Sequence, residues 1–562
     1  MRELIHGIYQ DRLRPIKTMV LSMLLTKTAR NVIFLFLTSA VAFLQMVYQL
    51  KLPGPYYDEA AHSVYAIWLL TGRPVLWGPP FAYDALGVPI LGSTGYYVGP
   101  FESYLSLLSM SLLGINVIAL RLPPIFFAIA TLPFVFFFTK NLFGEISAFV
   151  TTLLLAIQPS LILWSRVGLY PFSIVVFFIC SSLYMFQRWL WTRKTSWLVM
   201  GTFLLGLGFE TFITFVWYIV ALVTAVLIMR INTHIRKRQI FLMTASFLAG
   251  VGPYLIPWLS GENISFFTRH AAVSYAGVNN LMYVDNLILR LYHLRVLLEG
   301  SGFYHIYGET RFSSPLATSL LGASLLGIVL LVALLKRAQG KGSKRHLFLT
   351  ALLTVILLQT PITISSLNPY QLLPLIPFSM MIIGSFVGSV WELDKVLRKS
   401  FHNPKTRSLL KSCKVVLLLF LCSSVLMDLS TTMGYHNDLR QSGGVGRWNS
   451  AIYDAANYLV SANCNHILAG DWGLSYSLLV ASGGKLDVRD IFWTQGEAFK
   501  NAASQYLGTP NVCYVFWINP TIWSRLPLLQ EVVSSKGKSL SLEKTLYQSD
   551  GIPSIDIYRI AE

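Results

Sequence analysis

Charged residues are scarce in this sequence of 562 amino acids. Asp, Glu, Lys and Arg make up only 12% of it, whereas hydrophobic residues make up 54% and the mean hydropathy is +0.57. A soluble globular protein of this length is excluded, because the chain has too few polar residues to cover a core. Acidic residues are the scarcest, with 26 Asp and Glu against 44 Lys and Arg. The composition is typical of a protein that crosses a membrane several times.

Several motifs of soluble enzymes and pumps are also missing. The sequence has no Walker or dinucleotide-binding glycine pattern, no internal repeat and no Cys/His cluster with zinc spacing. A nucleotide-driven pump is therefore not indicated. Of the five cysteines, Cys464 and Cys513 lie in the tail that is predicted to face outward, where a disulfide is permitted.

Long apolar runs are what the sequence has in abundance. A spanning helix needs roughly 20 predominantly apolar residues, and about eleven stretches qualify by this measure. Only helices are expected to span, because lipid cannot satisfy an open backbone. The first run has no small-residue cleavage site after it, so we interpret it as a retained span. The predicted spans are 31–50, 122–139, 146–163, 171–190, 196–212, 213–229, 239–259, 315–335, 346–362, 370–390 and 415–430.

The basic residues follow the expected sidedness of a membrane protein. They concentrate at the N-terminus and at 187–194, 230–238, 336–345 and 395–414. If the N-terminus is cytoplasmic and eleven spans alternate, all five segments fall on the inner side, as the positive-inside rule requires. The distribution of the basic residues therefore predicts how the protein is oriented in the plasma (inner) membrane. The net charge of +18 is explained in this way, and no nucleic-acid partner is predicted.

Three regions are then predicted to face outward. They are a first loop at 51–121, a second large loop at 260–314 and the tail at 431–562. The tail has ordinary charge density, strand-like segments and an amphipathic helix, which predict a soluble α/β domain. The expected fold is a polytopic α-helical membrane domain over 1–430, with about eleven transmembrane helices, followed by an extracytoplasmic α/β domain.

Two adjacent acids stand out in the first loop. Asp58 and Glu59 lie in "GPYYDEAAHSVYAIWLLTG", between two apolar segments, where a charge is costly unless it is paired or used. Acids at an outer membrane boundary are what acid/base chemistry or a metal would need. The aromatic residues that crowd this loop, Tyr57 and Tyr97 among them, are compatible with a membrane-interface belt or with a platform for a sugar.

Four segments in order carry a family resemblance. They are "YYDEA" (56–60), "ALRLPPIFFAIATLPFVFFFTKNLFG" (119–144), "QPSLILWSRVGLYPFSI" (158–174) and "NPYQLLPLIPF" (368–378). Together they resemble the GT-C superfamily of polyprenol-phosphate-dependent glycosyltransferases, and most closely its protein O-mannosyltransferase and aminoarabinose transferase group. The resemblance covers roughly residues 31–390, and a trailing outer domain is common in such proteins.

The resemblance implies roles for individual residues. Asp58 matches the catalytic first-loop acid of the family and Glu59 its neighbour. Contacts to the donor phosphate are implied for Arg121 and Arg166, and Arg269 and Tyr370 are further candidates on the outer side. Arginine grips phosphate with fixed donors and stays charged there. Candidate substrate-binding residues are Tyr57, Tyr97, Glu102 and His270.

The sequence departs from the family at two places. Relatives carry a "HPPL" or "KPPL" motif where this chain reads Val98-Gly99-Pro100-Phe101, with Glu102 next. Relatives often have an acid just after the second arginine, where this chain reads Val167-Gly168-Leu169-Tyr170. A two-acid metal site is therefore not predicted, although a divalent metal elsewhere is left open.

The expected function is transfer of a sugar from a polyprenyl-phosphate donor to a protein, lipid or glycan acceptor on the extracytoplasmic side, with inversion. Three alternatives stay open at this point: a transporter or lipid flippase, a polysaccharide ligase, and a non-catalytic relative. A transporter should have symmetric halves and acids inside its spans, whereas the acids here cluster in outer loops.

In the tail, Asp471 is interpreted as a packing residue at a strand-to-turn junction.

Overall fold

The computed structural model of the chain consists mainly of helices. It describes residues 26–73, 83–85, 88–90, 97–169, 171–231, 233–259, 261–337, 343–400, 404–519 and 524–561. The predicted cytoplasmic N-terminal segment and the middle of the first outer loop lie largely outside these residues.

Each of the eleven predicted spans coincides with helix. The helices of this part of the chain are α1 (Lys27–Val47), α2 (Tyr57–Ala61), α3 (Val64–Thr71), α4 (Phe101–Leu113), α5 (Val117–Phe143), α6 (Glu145–Ile157), α7 (Pro159–Val167), α8 (Phe172–Thr192), α9 (Thr195–Thr211), α10 (Phe215–Ile228), α11 (Lys237–Val251), α12 (Leu255–Leu259), α13 (Glu262–Arg269), α14 (Tyr283–Glu299), α15 (Tyr304–Tyr307), α16 (Leu316–Arg337), α17 (Ser343–Gln359), α18 (Ile376–Ser400) and α19 (Pro404–Ser442). Two 3₁₀ turns, Gly252–Tyr254 and Pro369–Leu375, precede α12 and α18. A short hairpin joins β1 (Tyr83–Ala85) to β2 (Val88–Ile90).

Fewer helices than eleven are long and apolar enough to cross a membrane alone. Among the described residues five qualify: Lys27–Val47, Val117–Phe143, Phe172–Thr192, Pro369–Glu392 and Lys411–Ser442. A sixth span arises if α6 and α7 count as one, despite a 48° bend between them. The count of eleven therefore remains a prediction, because several of the other helices have 17 residues or fewer.

The bend between α6 and α7 has a local cause. Pro159 removes a backbone donor and keeps Gln158 extended, so the helix breaks there. The Gln158 side chain compensates: its Oε1 accepts from Leu161 N (2.8 Å), and its Nε2 donates to the Leu297 and Leu298 carbonyls (3.1 Å each) at the end of α14. The break therefore fixes α7 against α14.

The C-terminal region is an α/β domain, as predicted. A five-stranded sheet has the order β4-β3-β5-β7-β6, with the first three strands parallel and the last two antiparallel. Its strands are β3 (His466–Ala469), β4 (Val488–Asp490), β5 (Val512–Trp517), β6 (Ser539–Tyr547) and β7 (Pro553–Ala561), and its helices are α20 (Ala451–Ser461), α21 (Ser475–Ala481), α22 (Gly496–Ser504) and α23 (Leu526–Ser535). Cys464 and Cys513 form a disulfide.

Direct contacts join this domain to the first outer loop. The Tyr453 hydroxyl donates to the Lys51 carbonyl (2.7 Å), and Arg73 Nη1 donates to the Lys485 carbonyl (3.0 Å). Gly54 lies so close to the domain that a Cβ there would collide with the carbonyl of Asn449. The domain therefore sits directly over the loop that carries the two acids.

A buried ion pair anchors that loop to α5. Arg121 donates from Nε to Glu59 Oε1 (2.6 Å) and from Nη2 to Glu59 Oε2 (2.9 Å), and both side chains are fully buried. Its remaining N–H groups bond to loop carbonyls, those of Leu50 (2.8 Å), Pro53 (2.9 Å) and Gly54 (3.3 Å). The pair therefore fixes the backbone on both sides of the bend into α2.

Breaking this pair should destabilise the protein strongly. We expect Glu59→Gln to lower the free energy of unfolding by about 3–5 kcal/mol, because an uncompensated guanidinium would remain in the interior. The measurement is the melting temperature of the purified full-length protein in detergent.

The matched control removes a pair at the protein surface. Glu145 accepts from Arg30 at 2.8 Å, with side chains 27% and 53% exposed, so Glu145→Gln should cost no more than about 1 kcal/mol. Equal shifts in melting temperature for the two variants would contradict the anchoring role of Glu59.

Candidate active site

The two adjacent acids point in different directions. Both lie in the first turn of α2, where the partial positive charge of the helix N-terminus favours carboxylates. Neighbouring residues on a helix are about 100° apart around its axis. Glu59 is therefore turned into the bundle and fully buried, whereas Asp58 is half-buried at the junction with the C-terminal domain.

Arg121 uses its hydrogen-bonding capacity within the protein. A guanidinium has five N–H donors, and the five contacts to Glu59 and to the loop carbonyls occupy them all. In this arrangement no donor of Arg121 is left for a phosphate. The predicted phosphate contact would require the side chain to give up one of these partners.

Arg166 caps the end of α1. Its Nη2 donates to the Tyr48 carbonyl (2.6 Å) and the Gln49 carbonyl (2.9 Å), and its Nε donates to Met46 (3.3 Å). The guanidinium also lies 5.7 Å from the ring centre of Tyr307. Among the described residues, no carboxylate forms an ion pair with Arg166 (N···O within 4.0 Å). Its buried positive charge is therefore not neutralised by a direct partner, and it acts electrostatically on the nearby Glu59–Arg121 pair.

Asp58 lies among aromatic hydroxyls and one further cation. Burial raises the pKa of Tyr56 and Tyr57, and the nearby Asp58 carboxylate raises both further. Burial lowers the pKa of Arg447, whereas electrostatic interactions with Tyr56 and Asp58 raise it. Asp58 therefore interacts electrostatically with Arg447, a residue from the start of the C-terminal domain.

Aromatic side chains hold Arg447 in place. Its guanidinium carbon lies 4.1 Å from the ring centre of Trp472, within cation–π range. Tyr56 stacks on Trp448 with centroids 3.9 Å apart and contacts Trp472 edge-on at 5.7 Å. The soluble domain thus contributes a cation on an aromatic wall, directly opposite the first loop.

The topology of the α/β sheet explains why this wall forms. In open α/β sheets, ligand sites lie at the carboxyl ends of parallel strands. Trp472 follows β3, Trp493 follows β4 and Trp517 ends β5, so three tryptophans reach the same edge. Trp493 Nε1 donates to the Tyr57 hydroxyl at 3.4 Å, and Trp517 Nε1 donates to the Trp472 carbonyl at 3.0 Å.

Tyr97 and His270 line a separate apolar cavity of about 290 Å³. Residues from α10, α13 and the segment before α18 complete its walls, with Gln371 at one side. Arg269, the neighbour of His270, is exposed, and its Nε donates to the Ser265 carbonyl of its own helix (3.2 Å). Tyr97 and His270 therefore meet at one cavity, which Arg269 does not line.

Tyr370 lies near the cavity and is also influenced by the charge of Asp58. It is the sequence neighbour of Gln371, which lines the cavity. Its ring packs against those of Trp164 and Phe172, with centroids 4.9 Å and 5.8 Å apart. Asn368 Nδ2 donates to its hydroxyl at 3.1 Å, and the Asp58 carboxylate acts on it electrostatically. The assignment of Tyr370 and Asp58 to one site stays a prediction, which this electrostatic interaction favours.

Glu102 lies in the interior with His62. The distance between Glu102 Oε2 and His62 Nδ1 is 4.0 Å, and both residues are buried. Burial, and then the charge of Glu59, raises the pKa of Glu102 well above its usual range, while burial lowers the pKa of His62 to about 4.

The described residues do not fit a metal centre. They contain no group of three or more His, Cys, Asp or Glu side chains that could hold a metal ion. Glu102 with His62 supplies only two such groups. We therefore assign no catalytic step to a metal.

Sequence reasoning missed Arg447 and Trp472. The stretch "SGGVGRWN" (442–449) could have indicated Arg447, because three glycines precede this cation at the start of the C-terminal domain. In "GDWG", Asp471 accepts from Trp517 N (2.9 Å) and Arg525 N (3.2 Å), consistent with its predicted packing role. The functional candidate of that stretch is the neighbouring Trp472.

Comparisons with known proteins agree with this architecture. Residues 97–258 match the family model described as dolichyl-phosphate-mannose-protein mannosyltransferase. That segment contains Glu102, Arg121 and Arg166, while Asp58, Tyr370 and Arg447 lie outside it. No curated protein matches the chain in sequence.

Solved structures resemble almost the whole chain. ArnT from Cupriavidus metallidurans bound to undecaprenyl phosphate matches with a TM-score of 0.56 at 12% identity, over 95% of this chain and 98% of that one. Its apo state matches at 0.58 and 13% identity, over 94% and 98%. An oligosaccharyltransferase from Archaeoglobus fulgidus tethered with an acceptor peptide matches at 0.51 and 13% identity, over 88% and 69%.

Identities this low establish a common fold rather than a common substrate. Together with the family-model match, they confirm the resemblance that the sequence predicts. The chain has the fold of the polyprenol-phosphate-dependent glycosyltransferases of the GT-C superfamily.

Proposed function

We propose that this protein transfers a sugar from a polyprenyl-phosphate donor to an acceptor on the extracytoplasmic side of the membrane, with Asp58 as the general base. The observation that carries the proposal is the position of Asp58. Its carboxylate interacts electrostatically with Arg447 of the C-terminal domain and with Tyr370, the sequence neighbour of Gln371 in the cavity wall. A carboxylate, a cation and an apolar cavity that could hold part of a lipid chain are thus linked through Asp58 and Tyr370.

The reaction is a single displacement. The acceptor hydroxyl oxygen attacks the anomeric carbon, and the bond from that carbon to the phosphate oxygen breaks. The bonding electrons leave with the polyprenyl phosphate, and the hydroxyl proton passes to Asp58. Attack from the face opposite the phosphate inverts the anomeric centre. A positioned base of this kind contributes about 10²–10⁴-fold in rate.

Arg447 is the best-placed residue to bind the departing phosphate. Arginine remains charged when it is partly buried and can bond phosphate with two parallel N–H groups. Stacking on Trp472 orients the guanidinium before the substrate arrives. We propose that Arg121 and Arg166 act mainly through their buried charge and by holding the loop, since their contacts are to Glu59 and to backbone carbonyls.

The apolar cavity suits the lipid part of the donor. Its surface is mainly apolar, although several polar side chains, Tyr97, Thr214, His270, Asn280, Thr363, Ser365 and Gln371, contribute to the walls. The ring of Phe212 packs against those of Tyr97 and Phe172, with centroids 5.9 Å and 4.8 Å apart. The ring of Phe172 in turn packs against that of Tyr370. A polyprenyl chain in this cavity would therefore carry its phosphate toward Asp58. The resemblance to ArnT bound to undecaprenyl phosphate supports this class of donor.

We expect Asp58→Asn to reduce sugar transfer at least 10²-fold, because the amide cannot accept the acceptor proton. Membranes that contain the full-length protein are supplied with a panel of radiolabelled polyprenyl-phosphate sugars. Label in the acceptor fraction and released polyprenyl phosphate are both measured.

The control for this variant is Asp454→Asn on the exposed face of α20, which should leave transfer unchanged. Asp58→Asn should bind the donor within about twofold of wild type, since Asp58 acts on the acceptor. Transfer that persists in Asp58→Asn would remove Asp58 as the base. Absence of transfer from every donor by the wild type would count against the transferase itself.

Arg447→Ala should reduce the turnover number by about 10²–10³-fold, as expected when one donor to a developing negative charge is removed. Arg447→Lys should recover only part of this loss, because an ammonium lacks the planar fork. Transfer is measured with the donor that the panel identifies, at saturating and limiting concentrations.

Two checks separate catalysis from folding for Arg447. The melting temperature of Arg447→Ala should stay close to that of wild type, and Arg440→Ala on the exposed end of α19 should transfer normally. A loss of transfer that merely follows a loss of stability would assign Arg447 a structural role.

A further inference from the structure

A second apolar crevice lies at the other end of the helix bundle. It has a volume of about 240 Å³ and is formed where α5 and α8 end, where α10 ends and where α17 begins. Residues that define its walls include Leu142, Phe186, Trp191, Leu222, Val226 and Phe348. The crevice is separate from the cavity that Tyr97 and His270 line.

The position of the crevice along α5 is informative. Arg121, which anchors the first loop, lies near the start of α5, and Leu142 lies near its end. The 21 residues between them correspond to roughly 30 Å of helix, about the thickness of the hydrocarbon layer of a bilayer. The crevice therefore opens at the membrane boundary opposite to Asp58.

Two cations stand at its mouth. Lys344 and Arg345 line the crevice, and both are exposed. Arg345 Nη1 donates to the Leu142 carbonyl at 2.7 Å, which holds the guanidinium over the end of α5. Within the described part of the chain, no carboxylate forms an ion pair with either cation.

The walls of the crevice offer few polar groups that could bond to an occupant. Gln187 is the polar side chain among them, and its amide is already engaged: Nε2 donates to the Phe138 carbonyl (3.0 Å) and Oε1 accepts from Asn141 Nδ2 (3.0 Å). An occupant would therefore meet a hydrophobic slot inside and positive charge only at the opening.

We propose that this crevice binds an anionic phospholipid, with an acyl chain in the slot and the phosphate group at Lys344 and Arg345. Basic pockets between transmembrane helices on the cytoplasmic side are suited to acidic head groups. A zwitterionic lipid could fill the same slot, but its positive head group would oppose the two cations. This site does not depend on the transfer reaction proposed above.

The test uses the purified full-length protein in detergent with phosphatidylglycerol or phosphatidylcholine of equal chain length. Bound lipid is counted by native mass spectrometry over a concentration series. Each basic residue near a negative head group is worth about fivefold in affinity. The wild type should therefore bind phosphatidylglycerol up to about 30-fold more tightly than phosphatidylcholine, and Lys344→Ala with Arg345→Ala should abolish this preference.

A second variant addresses the slot. Val226→Phe should weaken binding of both lipids, because the larger ring occupies the space that an acyl chain needs. Lys344→Glu, which changes an exposed side chain without a hydrogen bond to the described residues, leaves no net positive charge at the site and should abolish the preference, while the melting temperature in lipid-free detergent stays unchanged.

The matched control is Lys237→Ala with Arg238→Ala, an exposed basic pair at the start of α11 on the same side of the bundle. It should keep the wild-type preference for phosphatidylglycerol. Equal binding of the two lipids by the wild type would overturn the proposal. So would an equal loss of preference in the control pair, which would indicate a general surface charge instead of a site.

Discussion

The ion pair between Glu59 and Arg121 is the interaction on which the arrangement of the outer site depends. Burying two charges is costly unless geometry and hydrogen bonding are complete. Here all five N–H groups of the guanidinium have acceptors, and three of these are backbone carbonyls of residues 50–54. The same contacts that neutralise the pair therefore fix the segment that leads into α2.

This constraint explains why two acids stand side by side in a chain that has few. Helix geometry turns adjacent residues about 100° apart, so one carboxylate can enter the core while the other remains at the junction. Glu59 stabilises the position of the helix, and Asp58 is presented by it. The pair in the sequence thus reflects two different roles on one short helix.

The soluble domain belongs to the candidate site as much as the membrane helices do. The carboxyl ends of β3, β4 and β5 lie against the first loop, and each brings a tryptophan there. Arg447 is held on Trp472 close to Asp58. In the proposed reaction, this cation binds the phosphate of the donor while the acceptor approaches Asp58.

The sequence by itself determined much of the architecture. Hydropathy located the helical segments, and strand-like segments located four of the five strands of the tail. It missed β6, whose exposed, polar sequence "SLSLEKTLY" is typical of an edge strand rather than of a buried one. The number of spans was harder to predict, because short helices, and helices broken at residues such as Pro159, have the same composition as full spans.

Only the tertiary structure decided what each charged residue contacts. Sequence order cannot show that Arg121 is satisfied by Glu59 and by backbone carbonyls, or that Arg447, more than 300 positions after Asp58, interacts with it electrostatically. Such pairings depend on which helix and strand ends meet, and they are fixed by packing between distant parts of the chain. The positions of helices and strands follow largely from local sequence pattern, whereas the partners of buried charges follow from the fold.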